Sequence, residues 1–427
     1  MFPWFGHADL PRAVRSRGLA TARSVSLLLL ILGRAGCTGG DAHATGAWVG
    51  TVDTVGDTEI VTTSVPPQST WPPVDTADAV VRIWDSDSLE RPSAIATDSR
   101  GRLLVADRAQ VFLLARSGEL LGTLGRKGSG PGEFHLISGL GVLPGDTAVV
   151  WDGAELRLTW FSPAGKVVRT RSVTGPPPFT DPRRVVMSPL GQGVILAWAF
   201  GLVRPGGTPD SVALVYHEWG SLAPKVLAVI EDLSWVNGGQ VLGSRYPFGP
   251  RALYAVSRSG RFAFTAGVDY CITLDRVAGG ARRRICREWI RQPVGSASRI
   301  PDDTSGMGSA GPGFAGVFAR QEFGTQKNSI DEIQFDDQDR LWVRVVDAGH
   351  KNHPMYMSRL PRLRPRYYLW EVFSPTGKLA QRVAVPSPFR PLLFLSDALF
   401  GVLEDESGAL SIARVNLPHL PARSAAR

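Results

Sequence analysis

The apolar residues of this chain fall in short runs separated by turn residues. Between residues 92 and 124 the runs are Ala94–Thr97 (AIAT), Leu103–Ala106 (LLVA), Val111–Ala115 (VFLLA) and Leu120–Leu124. The intervening residues are Asp98-Ser99-Arg100-Gly101, Asp107-Arg108 and Arg116-Ser117-Gly118-Glu119. Runs this short, rich in Val, Leu and Ile and bounded by Gly, Ser and Asp, predict β-strands. Four in succession predict one antiparallel meander. The unit then recurs over Leu140–Val173, Val185–Ile230 and Ala252–Ile290. A fifth opens at Ile330–Phe335, continues at Leu341–Val345 and resumes at Tyr367–Phe373 after an insertion. A sixth has only three runs, Leu392–Ser396, Leu399–Leu403 and Leu410–Val415. The turn Ser162-Pro163-Ala164-Gly165-Lys166 returns downstream as Ser374-Pro375-Thr376-Gly377-Lys378. Internal repetition of this kind marks an array of like units.

Four-stranded meanders repeated in this way predict an all-β fold, a six-bladed β-propeller of four-stranded antiparallel blades. A lone run, Ala79–Trp84 (AVVRIW), precedes the first blade, and the last blade is one strand short. If the early strand completes the last blade, the ring closes without an open edge. The stretch linking the first two blades, Leu124–Phe134 (LGRKGSGPGEF), resembles the NHL-type propeller family, whose repeats use GRxGxGPGEF between blades. The resemblance implies a propeller over residues 79–416, followed by a polar tail, 417–427. Residues 37–78, rich in Gly, Thr, Asp and Pro, read as a linker. Within it Ala47–Asp53 and Thr58–Ser64 alternate enough to form a small hairpin.

Loop lengths separate the two faces of such a ring. The turns between first and second strands, and between third and fourth, are short throughout: 99–102, 117–119, 162–166, 257–261, 337–340 and 374–378. Every long insertion falls in the other class, at Gly125–Gly139, Phe200–Asp210, Leu233–Pro250, Arg291–Ser329 and Asp347–Arg366. Loops on a rigid scaffold are where binding and catalysis concentrate, so the long-loop face around the central channel is the expected functional face.

Its candidate residues are Asp107, Arg126, Glu133, Asp152, Trp198, Arg344, His350 and His353, each with a structural reading beside the functional one. Arg126 and Glu133 flank the glycines of the linking stretch and either reach the channel or tie adjacent blades together. The glycines follow a strand without opening a helix, so a phosphate loop is excluded. Asp107, Asp152 and Arg344 end second strands on this face, as ligand contacts or as solvated charges. Trp151, Trp198 and Trp342 occupy equivalent second-strand positions in three blades, for packing between blades or for stacking on a sugar. His350 and His353, in GHKNHP, have a spacing that two ligands of one metal could use, but no third ligand stands nearby. Lys351, Arg359, Arg362, Arg364 and Arg366 surround them in a strongly basic segment. No Gly-x-Ser-x-Gly elbow sits between a strand and a helix.

The N-terminus reads as an address. Arg12, Arg15, Arg17 and Arg23 precede an apolar core, Val25–Leu32, and then Gly33-Arg34-Ala35-Gly36-Cys37. This is the pattern of a secretory signal peptide over residues 1–36, too short in its apolar part to span a bilayer, which takes about 20 residues. Its Ala-Gly-Cys ending resembles the lipobox of bacterial lipoproteins, although Arg34 stands where that family has an apolar residue. The resemblance implies lipidation of Cys37 and an exported protein held at the bacterial cell envelope by a lipid anchor alone. Cys271 and Cys286 then remain as an even pair. They lie symmetrically about the turn Ala278-Gly279-Gly280, so they face each other across a hairpin, as a disulfide or as two buried thiols.

Charge adds little. Of the formal net charge of +8, residues 1–36 carry +4 from five Arg and one Asp, leaving +4 on the remainder. That balance argues against nucleic acid. The sequence therefore predicts a monomeric propeller that binds a small molecule, a glycan or a protein, with no cofactor. The alternative is a metal-dependent hydrolase or lyase of the propeller lactonase kind, holding a divalent metal over the channel. Those families place ligands inward from several blades, and no such set aligns here.

Overall fold

Strand burial in the computed structural model falls from the inside of each blade to its rim. The structure describes residues 48–64, 74–77, 79–179, 188–199, 211–233, 236–238, 241–244, 248–295, 324–346 and 365–417. Second strands such as Leu103–Asp107 are buried along their whole length, because both faces are covered by neighbouring blades. They therefore carry unbroken apolar runs rather than alternation. The rim strand Val167–Ser172 is exposed nearly throughout.

Six antiparallel four-stranded units result, and no helix occurs among the described residues. Blade one is Pro92–Thr97, Leu103–Asp107, Gln110–Leu114 and Leu120–Leu124; blade two is Ile137–Leu143, Thr147–Asp152, Arg157–Phe161 and Val167–Ser172. Blade three is Ser188–Leu190, Gly193–Ala199, Ser211–Glu218 and Lys225–Glu231. Blade four is Leu253–Val256, Arg261–Thr265, Cys271–Arg276 and Arg282–Arg287; blade five is Ile330–Phe335, Leu341–Val345, Tyr367–Phe373 and Leu379–Pro386. Blade six has Phe389–Phe394, Ala398–Glu404 and Leu410–Asn416 from the end of the chain, and Val81–Asp85 pairs antiparallel with the last of these. The early strand thus closes the ring. Its Trp84 ring lies 4.8 Å from Phe112 of blade one.

The core is divided among the seams. Six buried apolar clusters each join two adjacent blades, and the one holding Leu395, Phe400 and Ile412 against Ile95, Val105 and Phe112 closes blade six onto blade one. Each blade is a thin layer with two apolar faces, so its burial depends on both neighbours.

Residues 50–63 and 74–76 hold more structure than a linker. The expected hairpin forms, Gly50–Val55 with Thr58–Thr63, and its second strand pairs in parallel with Arg282–Arg287 at the rim of blade four. Val74–Thr76 then pairs in parallel with Leu379–Pro386 of blade five. The segment before blade one therefore adds strands to the rims of blades four, five and six in turn. Val61 in the second hairpin strand is fully buried, and the carboxylate of Glu59 takes two bonds from the Arg283 guanidinium, at 3.0 and 3.1 Å. Blades one, two, three and five each carry a bulge where the fourth strand leaves the turn, whereas blade four has none. The unbulged rim of blade four accepts a two-strand extension, and the bulged rim of blade five accepts one short strand.

Candidate binding site at the channel mouth

First strands line the central channel and begin at its long-loop end. In blades one, two and five the register slips by one residue near that end, making Ser93, Ser138 and Asp331 the bulged positions. A bulge bends the strand and re-aims a side chain. In blade six the slip comes later, at Leu392. The first strands of blades one, two, four, five and six enclose a cavity of about 280 Å³, whose polar lining includes Ser93, Ser138, Glu332, Gln334, Arg258 and Asp337.

The chemistry at the mouth centres on Arg344. Its Nε donates to Asp331 at 2.5 Å, its Nη2 to Asp331 at 3.2 Å, and its Nη1 lies 2.8 Å from Glu332. The guanidinium stacks over Tyr368, 4.7 Å from the ring centre. Burial alone would favour its neutral form, but Asp331 and Glu332 outweigh that and raise its pKa above the ordinary arginine value. Across the channel, the Ser138 hydroxyl and the indole N–H of Trp151 are buried without a hydrogen-bond partner. They lie on either side of Gly153, where an added Cβ would stand 2.5 Å from Ser138 Oγ and 3.7 Å from Trp151 Nε1. The arrangement suits recognition by hydrogen bonds and ion pairs.

Most of the candidate residues are placed by structural tasks. The buried Asp107 carboxylate accepts the backbone N–H groups of Glu90 and Arg91, at 2.9 and 2.5 Å. Asp152 does the same for His135 and Leu136, at 2.7 and 3.3 Å. Each aspartate fastens the chain entering its own blade. Arg126 and Glu133 pair at 2.7 Å. The Gly130 N–H and the Arg126 guanidinium lower the Glu133 carboxyl below the usual range. Gly125 has φ +77°, and a Cβ there would meet Phe134 at 2.4 Å, so only glycine fits. Arg157, which the sequence did not single out, grips this stretch through the carbonyls of Ser129, Gly130 and Glu133.

Trp198 is fully buried and meets Trp151 edge-on, with 6.0 Å between ring centres. Trp342 departs from the expected equivalence. It pairs with Gln334 near the short-turn end, where its Nε1 donates to Asp336. Cys271 and Cys286 are directly opposed and joined by a disulfide. Cys37, His350 and His353 lie outside the described residues. Among the described residues, no group of three or more His, Cys, Asp or Glu is placed to share a metal.

A larger groove of about 790 Å³ lies on the same face, between the closing strand and the 405–409 turn. Two of its acids are already engaged: Asp405 by Ser407 and the Ala409 N–H, and Glu90 by Arg108. The channel mouth is therefore the better candidate. Its residues carried a signal that could have been read. Blade five opens IDEIQF where blade one has PSAIAT, so Glu332 and Gln334 stand at channel positions that are small or apolar in blade one.

No family model matches the chain, and no curated protein matches it. Solved structures resemble it at low identity. A candidate exported protein of Bacteroides fragilis has a TM-score of 0.44 at 13% identity, covering 84% of this chain and 99% of that one. A duf4221-family protein of Bacteroides vulgatus scores 0.48 at 8% identity, covering 80% and 97%. A gluconolactonase of Xanthomonas campestris scores 0.39 at 13%, covering 81% and 98%. Likeness at this level carries nothing about activity.

Proposed function

We propose that this chain is an exported, lipid-anchored propeller of the NHL type that works as a binding module at the long-loop mouth of its channel. The observation that carries the reading is the set of bulged first strands. They bring Ser93, Ser138 and Glu332, the ion-pair partner of Arg344, from three blades into the lining of one cavity. A small molecule, a glycan terminus or a protein loop fits such a mouth. The leader and Ala35-Gly36-Cys37 support export and lipidation.

The test is a screen of metabolites, glycans and peptides against the native protein and two variants. Glu332→Gln removes the mouth's channel-facing charge, and Ala94→Trp fills the cavity. At least one ligand is expected to lose tenfold or more in affinity in both variants while thermal unfolding stays cooperative. Ligands indifferent to both variants would place the site elsewhere. Separately, Cys37→Ala is expected to move the protein from the membrane fraction to the soluble one.

A further inference from the structure

The hairpin added to blade four leaves Gly50–Val55 as the last strand of a six-stranded sheet, paired on one side alone. It stands two strand spacings, about 10 Å, beyond the fourth strand of its own blade. Blade five adds one short strand at its rim, and blade three, among the described residues, adds none. Thr51 to Val55 are exposed. An edge strand offers free N–H and C=O groups with which another chain can pair, and proteins blunt such edges with bulges, prolines or lysines. The rims of blades one, two and three are bulged. Gly50–Val55 has no slip in register, no proline and no lysine.

The Val49 carbonyl accepts the Ser64 N–H at 3.1 Å, so it points at the second hairpin strand. Backbone groups alternate sides along an antiparallel pair, which turns those of Gly50, Val52 and Thr54 outward. The side chains are nearly symmetric about Val52. Val49 and Val55 stand at equal distances on either side of it, and Thr51 and Asp53 flank it directly. All three valines are exposed.

We propose that a second copy of this chain pairs here, with Gly50–Val55 antiparallel to its counterpart across a two-fold axis at Val52. In that register Val52 lies opposite the partner's Val52, and Val49 opposite the partner's Val55. Thr51 lies opposite the partner's Asp53, hydroxyl against carboxylate. The outward N–H and C=O groups of Gly50, Val52 and Thr54 all find partners. Centring the pair on Asp53 would instead set two carboxylates against each other, which is unfavourable. One patch used by both copies closes the assembly at a dimer, and main-chain bonds supply the affinity of an added strand. The sequence predicts a monomer, so oligomeric state is the readout. The channel mouth plays no part, so the two readings fail independently.

The experiment is sedimentation velocity of the full chain over a hundredfold range of concentration. A monomer–dimer equilibrium is expected. Val52→Lys and Val52→Glu, which set like charges together at the axis, should each weaken it at least tenfold while thermal unfolding stays cooperative. An equimolar mixture of the two variants should restore the dimer, because opposite charges then meet at the axis. A native protein that is monomeric throughout overturns the proposal. So does a dimer indifferent to both variants, or a mixture that stays as dissociated as its components. If a Val52 variant loses cooperative unfolding, Thr54→Pro removes one outward N–H and leaves the inward hairpin bonds in place. It must also weaken the dimer at least tenfold, and an unchanged dimer overturns the proposal.

Discussion

The two ends of the channel are built from the same repeating strands and solve opposite problems. At the short-turn end, charges are neutralised within a few residues. Asp98 accepts from Arg102 at 2.6 Å, and Asp336 accepts from Arg340 at 2.6 Å and from Trp342 at 2.9 Å. Neighbouring turns are then stitched across the seams. Ser99 donates to Asp146 at 2.7 Å, Ser259 to Asp339 at 2.7 Å, and Ser396 to Asp337 at 3.3 Å. At the long-loop end, Asp107 and Asp152 fasten the incoming chain, while Ser138 and Trp151 keep donors uncommitted. Strand polarity explains the split. Tight turns return at one end, so their polar groups meet at short range; the long connections leave the other end room for a ligand.

The sharpest way to break this comparison is Asp336→Ala. It strands the buried Arg340 and the Trp342 N–H, and losing one partner of a buried pair costs about 3–5 kcal/mol. Urea unfolding should show a loss in that range. A loss below about 1 kcal/mol would mean that the stitched end does not hold the ring together.

His217 sharpens it through pH. It sits toward the short-turn end of blade three, opposite Val194. Burial, with a smaller contribution from Arg171, lowers its pKa to about 4. The unfolded chain binds this proton below about 6.5 while the folded chain resists it until about 4. Stability is therefore complete above pH 6.5 and falls as pH drops to 4, by up to about 3 kcal/mol. His217→Gln should flatten that slope in unfolding experiments run across the window. An unchanged slope would assign the loss to other groups.

The smallest stability effect is expected at the mouth. Glu332→Gln leaves Arg344 paired with Asp331, so unfolding should shift by about 1 kcal/mol or less, while ligand affinity falls. A larger stability loss would make Glu332 part of the scaffold. Elemental analysis of the purified chain before any chelator adds one more check. A metal-free protein is expected, and a stoichiometric divalent ion would direct attention to hydrolase and lyase assays.

Much of the fold was legible in the order of residues. Strand runs, their grouping in fours, the missing last strand and its N-terminal replacement all follow from local apolar patterning. The disparity of the two faces follows from turn lengths alone. The glycine stretch was legible too, because positive φ and a contact as close as Gly125 to Phe134 leave few other residues able to serve. Less of the candidate site was visible. Asp107 and Asp152 stood out as charges at strand ends, yet their carboxylates are spent on backbone N–H groups. Trp342 looked equivalent to Trp151 and Trp198, but it sits at the other end of its strand.

The amino-acid sequence by itself determined the repeating all-β architecture, because strand, turn and closure are encoded over a few neighbouring residues at a time. Only the tertiary structure decided which polar groups meet. A bulge at Ser93, Ser138 or Asp331 is a one-residue slip in register between strands, invisible in the apolar pattern, yet it re-aims a side chain. The rim strands at 50–63 and 74–76, and the approach of Arg390 to Pro92 across 298 positions of sequence, likewise exist only once six blades have closed into a ring.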